Sequence, residues 1–171
     1  VCEIRTVLEP SAGKGDLIDA FRECAKKKAR YSDDISVDCI ESDLNLQYLL
    51  RGQGEHLIHD DFLTFDSRKR YDLILTNPPF SQGDKHLLKA IEMQKNGGQI
   101  VCLLNAETLR NTYTNTRYLL EQKLRLLHAD IRYVKGAFTA AERKTAVEIA
   151  IVYLNIPSPV EESDIYEKLR K

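Results

Sequence analysis

Short apolar runs alternate with amphipathic segments along this chain, and the alternation restricts the fold more than any other feature. The segments between the runs carry apolar residues at helical spacing, as in Leu17, Phe21 and Cys24. Strands alternating with helices predict an α/β domain, with a parallel sheet covered on both faces. The predicted strands are residues 5–8, 35–40, 57–58, 71–75, 100–104, 129–134 and 146–154, and the predicted helices are 14–30, 44–50, 85–94 and 116–126.

The end of the chain departs from this alternation. Residues 135–145, between the last two predicted strands, are too few for a crossover helix, so we expect these strands to pair antiparallel. A length of 171 residues suits a single domain. We place this domain at residues 1–156 and a charged tail at residues 157–171, which could hold a short helix.

A near-neutral charge limits the partners that the chain can attract. Lys and Arg number 25 against 26 Asp and Glu, so any nucleic-acid contact must come from local patches. Every apolar run is too short to span a membrane, and no signal peptide is visible. The four cysteines and four histidines form no metal-ligand spacing. We expect a cytoplasmic protein with reduced thiols, no membrane contact and no metal.

The first predicted strand runs into a glycine-rich turn that opens a helix, in Val7-Leu8-Glu9-Pro10-Ser11-Ala12-Gly13-Lys14-Gly15-Asp16-Leu17. Gly13 and Gly15 let the backbone turn tightly and approach a ligand, with helix-terminal N–H groups facing it. A dinucleotide loop would need a third glycine where Ile18 stands. Glu9 before the turn suits a cationic ligand better than a phosphate.

Further acidic residues follow the next two predicted strands. Glu41 comes directly after the second strand, at a distance that suits a carboxylate bound to ribose hydroxyls. Asp60, Asp61 and Phe62 follow the third strand. Ligands of open α/β sheets bind at the carboxyl ends of the strands, so we expect Glu9, Glu41 and Asp61 to share one site. Asp43 and Asp60 also fit helix caps or solvated charges.

A second motif, Thr76-Asn77-Pro78-Pro79-Phe80, ends the fourth predicted strand. An exocyclic amine of a nucleobase is a poor nucleophile because its lone pair is delocalised into the ring. The Asn77 side-chain carbonyl and the Pro78 backbone carbonyl could accept its two N–H bonds and localise that lone pair. Phe80 offers a flat face for stacking the base. The alternative is a plain Asn-Pro turn that ends a strand.

The two motifs, in this order, resemble those of class I S-adenosylmethionine (SAM)-dependent methyltransferases. The second resembles the catalytic loop of N6-adenine methyltransferases, in particular the gamma-type enzymes of restriction–modification systems. The resemblance implies a Rossmann-like fold with a mostly parallel seven-stranded sheet, an antiparallel last strand and helices on both faces. It implies SAM as cofactor, DNA as substrate and Asn77, Pro78, Pro79 and Phe80 as catalytic residues.

The same resemblance implies individual roles in cofactor binding. Asp61 would accept from the adenine amine of the cofactor, and Phe62 would pack on the adenine ring. Ser42 stands where the family usually has an apolar residue that forms the other adenine wall. The residues expected to bind the cofactor are Glu9, Pro10, Ser11, Ala12, Gly13, Gly15, Glu41, Ser42, Asp61, Phe62 and Asn77.

Other residues are expected to contact the substrate. Phe138 matches the family's aromatic residue behind the target base, with a core residue as the alternative. Lys135, Arg143 and Lys144 lie beside it in sequence and are candidate phosphate contacts. The family's helix before the first strand and its target-recognition domain have no counterpart in this sequence. We therefore expect a catalytic core, either a fragment or one that takes its specificity from a separate domain or subunit.

Three other functions stay open at the level of sequence. The same loop occurs in enzymes that methylate RNA at adenine N6 or guanine N2. Methylation of a protein glutamine amide uses a similar loop, in which Tyr is usual where Phe80 stands. A catalytically inactive SAM-fold scaffold is the alternative from outside the enzymes. A dehydrogenase is disfavoured because the third glycine is missing.

Overall fold

The structure is a computed structural model that describes residues 3–27, 35–136 and 147–159. Seven strands in these residues form one sheet, and all lie where the sequence predicts them, with ends shifted by at most three residues. The strands are β1 (Thr6–Glu9), β2 (Ser36–Ile40), β3 (His56–His59), β4 (Leu73–Thr76), β5 (Gly98–Asn105), β6 (Asp130–Val134) and β7 (Ile149–Ile156).

Four of the five α-helices of the described residues were predicted from the spacing of their apolar residues. The helices are α1 (Asp16–Lys27), α2 (Leu44–Gly52), α3 (Gly83–Met93), α4 (Ala106–Arg110) and α5 (Asn115–Leu126). The short helix α4 was missed, because five residues are too few to show a helical period. Asn105 begins it by accepting a hydrogen bond from the backbone N–H of Glu107, at 3.0 Å.

The order of the strands in the sheet is β3-β2-β1-β4-β5-β7-β6. The strands β1 to β5 are parallel to one another, whereas β7 is antiparallel to both β5 and β6. The predicted antiparallel pairing of the last two strands is therefore confirmed. The final strand lies inside the sheet, and β6 forms the edge. The carboxyl ends of β1 to β6 consequently meet at the same edge of the sheet.

Helices cover both faces of the sheet, as predicted. Successive strand residues point to opposite faces, so Val7 joins one core cluster and Leu8 the other. The first cluster holds Ile18 of α1 and Leu50 of α2. The second contains residues of α3 and α5: Leu87, Ala90, Ile91, Leu120 and Leu124. Two buried layers thus fix the loops at the sheet edge.

Besides the first two residues, three ranges of the chain are not described by the structure: 28–34, 137–146 and 160–171. The short helix expected in the tail falls in the last of them. Within the residues that the structure describes, no helix combines the length and the apolar character that crossing a membrane requires.

Candidate active site

The two sequence motifs leave the sheet side by side. The strands β1 and β4 are parallel neighbours, with Val7 opposite Leu73 and Leu8 opposite Ile74. Glu9 at the end of β1 and Asn77 just after β4 therefore lie at the same edge of the sheet. A stretch of 67 residues separates them in sequence, and the strand order removes that separation.

The buried side chain of Glu9 interacts with both motifs, through the backbone N–H groups of Ser11 and Asn77. Its side chain is buried, with an exposed fraction of 1%, and its Oε1 accepts a hydrogen bond from the Ser11 N–H at 3.2 Å. Its Oε2 lies in the interior without a hydrogen-bond partner. The pKa of Glu9 is raised from 4.5 to about 8, chiefly by burial; the backbone N–H groups of Ser11 and Asn77 oppose this rise and the nearby Glu41 adds to it. A buried, half-satisfied carboxyl thus lies under both loops.

The glycine-rich turn has the conformation that its sequence requires. Gly13 and Gly15 have φ values of +57° and +91°, a region that residues with a Cβ rarely adopt. The Ala12 N–H donates to the Ile40 carbonyl at 3.0 Å and ties the turn to the end of β2. The Gly13 N–H donates to Glu41 Oε2 at 2.7 Å. The glycine-rich turn and Glu41 are therefore in direct contact.

Glu41 is held at the end of β2 by its neighbours. Its Oε1 accepts from the Asp43 N–H at 2.8 Å, and its carbonyl accepts from the Gln47 side-chain amide at 2.7 Å. Asp43 in turn caps α2 through the N–H groups of Asn45 and Leu46. This confirms the cap interpretation of Asp43. Each Glu41 oxygen makes one hydrogen bond and retains a lone pair for a ligand.

These loops enclose a cleft of about 320 Å³, within the usual range for ligand sites. Ten residues line the cleft: Pro10, Ser11, Glu41, Ser42, Asp60, Asp61, Phe62, Pro79, Gln82 and His86. Three of them are carboxylates, and none is Lys or Arg. An acidic cleft disfavours a phosphate-bearing cofactor and suits one with a positive charge, such as SAM. The residues present therefore fit the cofactor that the resemblance implies.

The loop after β3 supplies one wall of the cleft. Asp61 is exposed, and its Oδ1 accepts from the Leu63 N–H at 2.9 Å, which orients the carboxylate. Phe62 is 2% exposed, so its ring belongs to the core as well as to the cleft wall. Lys89 of α3 donates to the Leu63 carbonyl at 2.9 Å and lies 5.6 Å from the centre of the Phe62 ring. Contacts from α3 thus hold this loop in place.

Of the four residues predicted to be catalytic, Asn77, Pro79 and Phe80 are exposed and only Pro78 is buried. The side chain of Pro78 is buried, whereas Asn77 is exposed and Phe80 has an exposed fraction of 42%. Residues Phe80–Gln82 form a 3-10 turn, in which the Gln82 N–H donates to the Pro79 carbonyl at 2.9 Å. Of the four residues, only Pro79 lines the cleft itself. The others lie beside it.

The packing at the start of α3 fixes the loop from below. A Cβ on Gly83, the first residue of the helix, would lie 2.7 Å from Leu104 Cδ2 and 3.8 Å from Pro78 Cγ. The absence of a side chain at position 83 therefore lets the helix approach β5 and the proline pair closely.

Two residues of the cleft were missed by sequence reasoning, Gln82 and His86. Asp60 was noted only as a cap or a solvated charge. His86 lies one turn into α3, and its exposed fraction is 6%. The signal available in the sequence is a polar residue on the apolar stripe of a helix that begins at the ligand-binding edge of the sheet. Helical spacing alone predicts only that His86 belongs to this helix.

The predicted substrate contacts divide between described and undescribed residues. Lys135 is exposed and follows β6, whose carboxyl end lies at the same sheet edge as the cleft. Phe138, Arg143 and Lys144 lie outside the described residues. In the described ranges, no group of three or more His, Cys, Asp or Glu is arranged to hold a metal ion.

Solved structures of methyltransferases share this architecture. A structure from Listeria monocytogenes described as a class I SAM-dependent methyltransferase matches 90% of the chain, with a TM-score of 0.66 and 14% sequence identity. The type I restriction-modification system methyltransferase subunit from Streptococcus thermophilus matches 99% of it, with a TM-score of 0.64 and 15% identity. The chain covers 54% and 49% of these two proteins. The fold is therefore that of the class I SAM-dependent methyltransferases.

One methyltransferase is also similar to the chain in sequence. The chain is 30% identical over 98 residues to the type II methyltransferase M.CvrRI of Paramecium bursaria Chlorella virus XZ-6E. The match includes 55% of this chain and 24% of the viral protein, so the chain spans about a quarter of that relative. No protein-family model matches the chain.

Proposed function

We propose that this chain is the catalytic core of a SAM-dependent methyltransferase that acts on an exocyclic amino group, adenine N6 in DNA. The observation that carries the proposal is the convergence of two loops. The acidic cleft lies beside Asn77 and Phe80, because β1 and β4 are neighbours. The similarity to a type II methyltransferase over 98 residues supports DNA as the substrate.

Bound SAM supplies an electrophilic methyl group on a positively charged sulfur. Glu41 would hold the ribose hydroxyls with the lone pairs that Gly13 and Asp43 leave free. Asp61 would accept from the adenine amine, beside the Phe62 ring. The remaining contacts would come from Glu9, from the turn of Pro10, Ser11, Ala12, Gly13 and Gly15, and from Ser42 and Asn77.

The protein would activate the substrate amine through acceptors rather than a strong base. The Asn77 side-chain carbonyl and the Pro78 backbone carbonyl would each accept one N–H of the amine. These bonds would turn its lone pair toward the methyl group and disperse the positive charge that builds on nitrogen. Pro79 stiffens the direction of the Pro78 carbonyl because its φ is fixed near −53°. The proton would leave after the transfer, so positioning provides most of the catalysis.

A base in a duplex cannot reach this loop, so the target nucleotide would be extruded from the helix. The exposed ring of Phe80 would stack on the base, and Phe138 would back it from the last hairpin. Lys135, Arg143 and Lys144 would contact the phosphates beside it. A separate specificity domain or subunit would select the target sequence.

The direct test is transfer of labelled methyl from SAM to unmethylated genomic DNA, total RNA and protein extract in parallel. We expect label in DNA, recovered as N6-methyladenine after digestion. The Asn77→Ala variant should lose transfer by about a hundredfold or more, because it removes one of the two acceptors. The matched control is Asn155→Ala, since Asn155 is an exposed asparagine on β7 away from the cleft.

Each other outcome identifies a different function. Label in RNA or protein that Asn77→Ala abolishes would keep the chemistry and replace the substrate. Transfer that survives in Asn77→Ala would contradict the proposed role of the loop. Binding of SAM without transfer to any of the three would point to a core that needs a partner, and no binding would favour the scaffold.

A further inference from the structure

His86 is placed to read the base of the cofactor, although neither the composition nor the motifs single it out. It lies on α3 and lines the cleft. Its Nδ1 is 3.4 Å from the hydroxyl of Ser11 in the glycine-rich turn. Its ring centre is 5.4 Å from that of Phe62, with the two planes tilted by 51°. One side chain therefore contacts both loops that are expected to hold the nucleoside.

Among the described residues, one nitrogen of the imidazole has a hydrogen-bond partner and the other has none. Nδ1 faces the Ser11 hydroxyl, and Nε2 has no hydrogen-bond partner among the described residues. If Nδ1 accepts from Ser11, the neutral ring carries its proton on Nε2. That N–H group would be a donor in a cleft whose other charged groups are all carboxylate acceptors.

We propose that neutral His86 is a specificity-determining residue of the adenine subsite, donating its Nε2–H to a ring nitrogen of the cofactor adenine while Asp61 accepts from the adenine amine. This inference rests on the proposed function, which makes the cleft the SAM site. Adenine presents acceptor nitrogens beside a donor amine. A donor on α3 and an acceptor after β3 match that pattern.

The electrostatic surroundings favour the neutral form. Burial lowers the pKa of His86, and Lys89 on the same helix lowers it further. Asp61, across the cleft, and Asp84, on the same helix, raise it. Glu41 and Asp60 are the other charged groups of the cleft. A proton on Nδ1 would end the bond from Ser11, and the resulting cation would attract the Asp61 carboxylate away from the adenine amine.

The test uses 5′-methylthioadenosine, which carries the base and ribose without the charged amino-acid arm. We expect its affinity for the wild-type chain to be constant between pH 7 and 9 and to fall at acidic pH, as His86 gains a proton. His86→Phe keeps a ring without the donor and should bind about threefold to tenfold more weakly at pH 8, the size of one neutral hydrogen bond. His86→Gln restores a donor that does not titrate, and should regain most of the affinity without the loss at low pH.

A spectroscopic measurement tests the same contact without substitution. Nitrogen-correlated NMR of the imidazoles should show the His86 proton on Nε2, and the ligand should shift that signal and lower the pKa further. His56→Gln serves as the control, because His56 begins β3 at the opposite edge, where its Nδ1 lies 2.8 Å from Asp38. Its affinity and pH profile should match those of the wild type.

The outcomes separate this inference from the proposed function. Wild-type affinity in His86→Phe, or a His86 signal unchanged at saturating ligand, would overturn the inference alone. Binding of S-adenosylhomocysteine without measurable binding of 5′-methylthioadenosine would also overturn it, since the base subsite would then contribute little. No binding of either compound to the wild-type chain would refute the proposed cofactor site, and the inference with it.

Discussion

The buried carboxyl of Glu9 should make cofactor binding release a proton. Its pKa of about 8 leaves it about 90% protonated at pH 7. A cationic cofactor bound above Glu9 would favour the ionised carboxylate. Among the described residues, Oε2 has no hydrogen-bond partner that would oppose this ionisation. We expect about 0.9 protons to be released from Glu9 per SAM bound at pH 7, and about 0.1 at pH 9. Affinity should rise about tenfold over the same range, because ionisation is no longer needed at the higher pH.

Calorimetry in buffers of different ionisation enthalpy measures this release directly. The α-amino group of SAM titrates in the same range, so the quantity to compare is the difference between wild type and Glu9→Gln. That variant keeps the shape of the side chain and cannot ionise. Equal proton release in the two proteins at pH 7, or a difference that does not shrink toward pH 9, would refute the reasoning.

The same residue makes a separate prediction for the stability of the ligand-free chain. The folded pKa is raised from 4.5 to about 8, so protonated Glu9 stabilises the fold fully below pH 4.5. That stability is lost as the pH rises, by about 3 kcal/mol at pH 7 and about 5 kcal/mol above pH 8. Denaturant unfolding of Glu9→Gln should therefore show a smaller loss between pH 5 and 9 than the wild type. Parallel pH profiles would contradict this.

Two further substitutions test the turn and a buried network. Gly13→Ala places a Cβ at a φ of +57°, which costs about 1–2 kcal/mol. We expect SAM binding, measured by calorimetry, to weaken about tenfold. The control Gly52→Ala has open space at its Cβ and should bind SAM normally. Asp38→Asn should lower the free energy of unfolding at pH 7 by about 3 kcal/mol, since Asp38 accepts from Lys69 and Tyr71 at 2.6 and 2.7 Å. Burial raises the pKa of Asp38, but the hydrogen bonds lower it by more, so the net pKa is lowered. The difference in unfolding free energy between wild type and Asp38→Asn should therefore shrink as the pH falls through the acidic range.

The sequence was sufficient for the central strands β1, β2 and β4 because each is a separate and largely buried run. Leu73 to Thr76 are all buried, so β4 reads as a continuous apolar stretch ended by prolines. The sequence also placed Gly13 and Glu41 after successive strands, and the structure adds the hydrogen bond between them. Local patterns that determine a strand also determine which residues stand at its end.

Contacts between distant elements could not be derived in the same way. The strand order places β4 beside β1, although β2 and β3 come between them in the chain. That order brings Asn77 over Glu9, and no local pattern encodes it. His86 enters the site because α3 packs back across the loop after β3, through Lys89 and the Phe62 ring. A helix periodicity predicts which stripe is buried, but not the loop against which that stripe packs.

The charges of the site limit how the proposed DNA substrate could bind to a near-neutral chain. A cleft with three carboxylates attracts a cationic cofactor and repels phosphates, so only an uncharged base can approach the methyl group closely. Attraction for the DNA backbone must then come from cations at the rim, and Lys135 is the described residue that the sequence placed there. With a net charge of −1 the chain has little long-range attraction to add. In the proposed function, the core would therefore depend on a separate specificity domain or subunit for most of its affinity for DNA, and would itself bind the cofactor and transfer the methyl group.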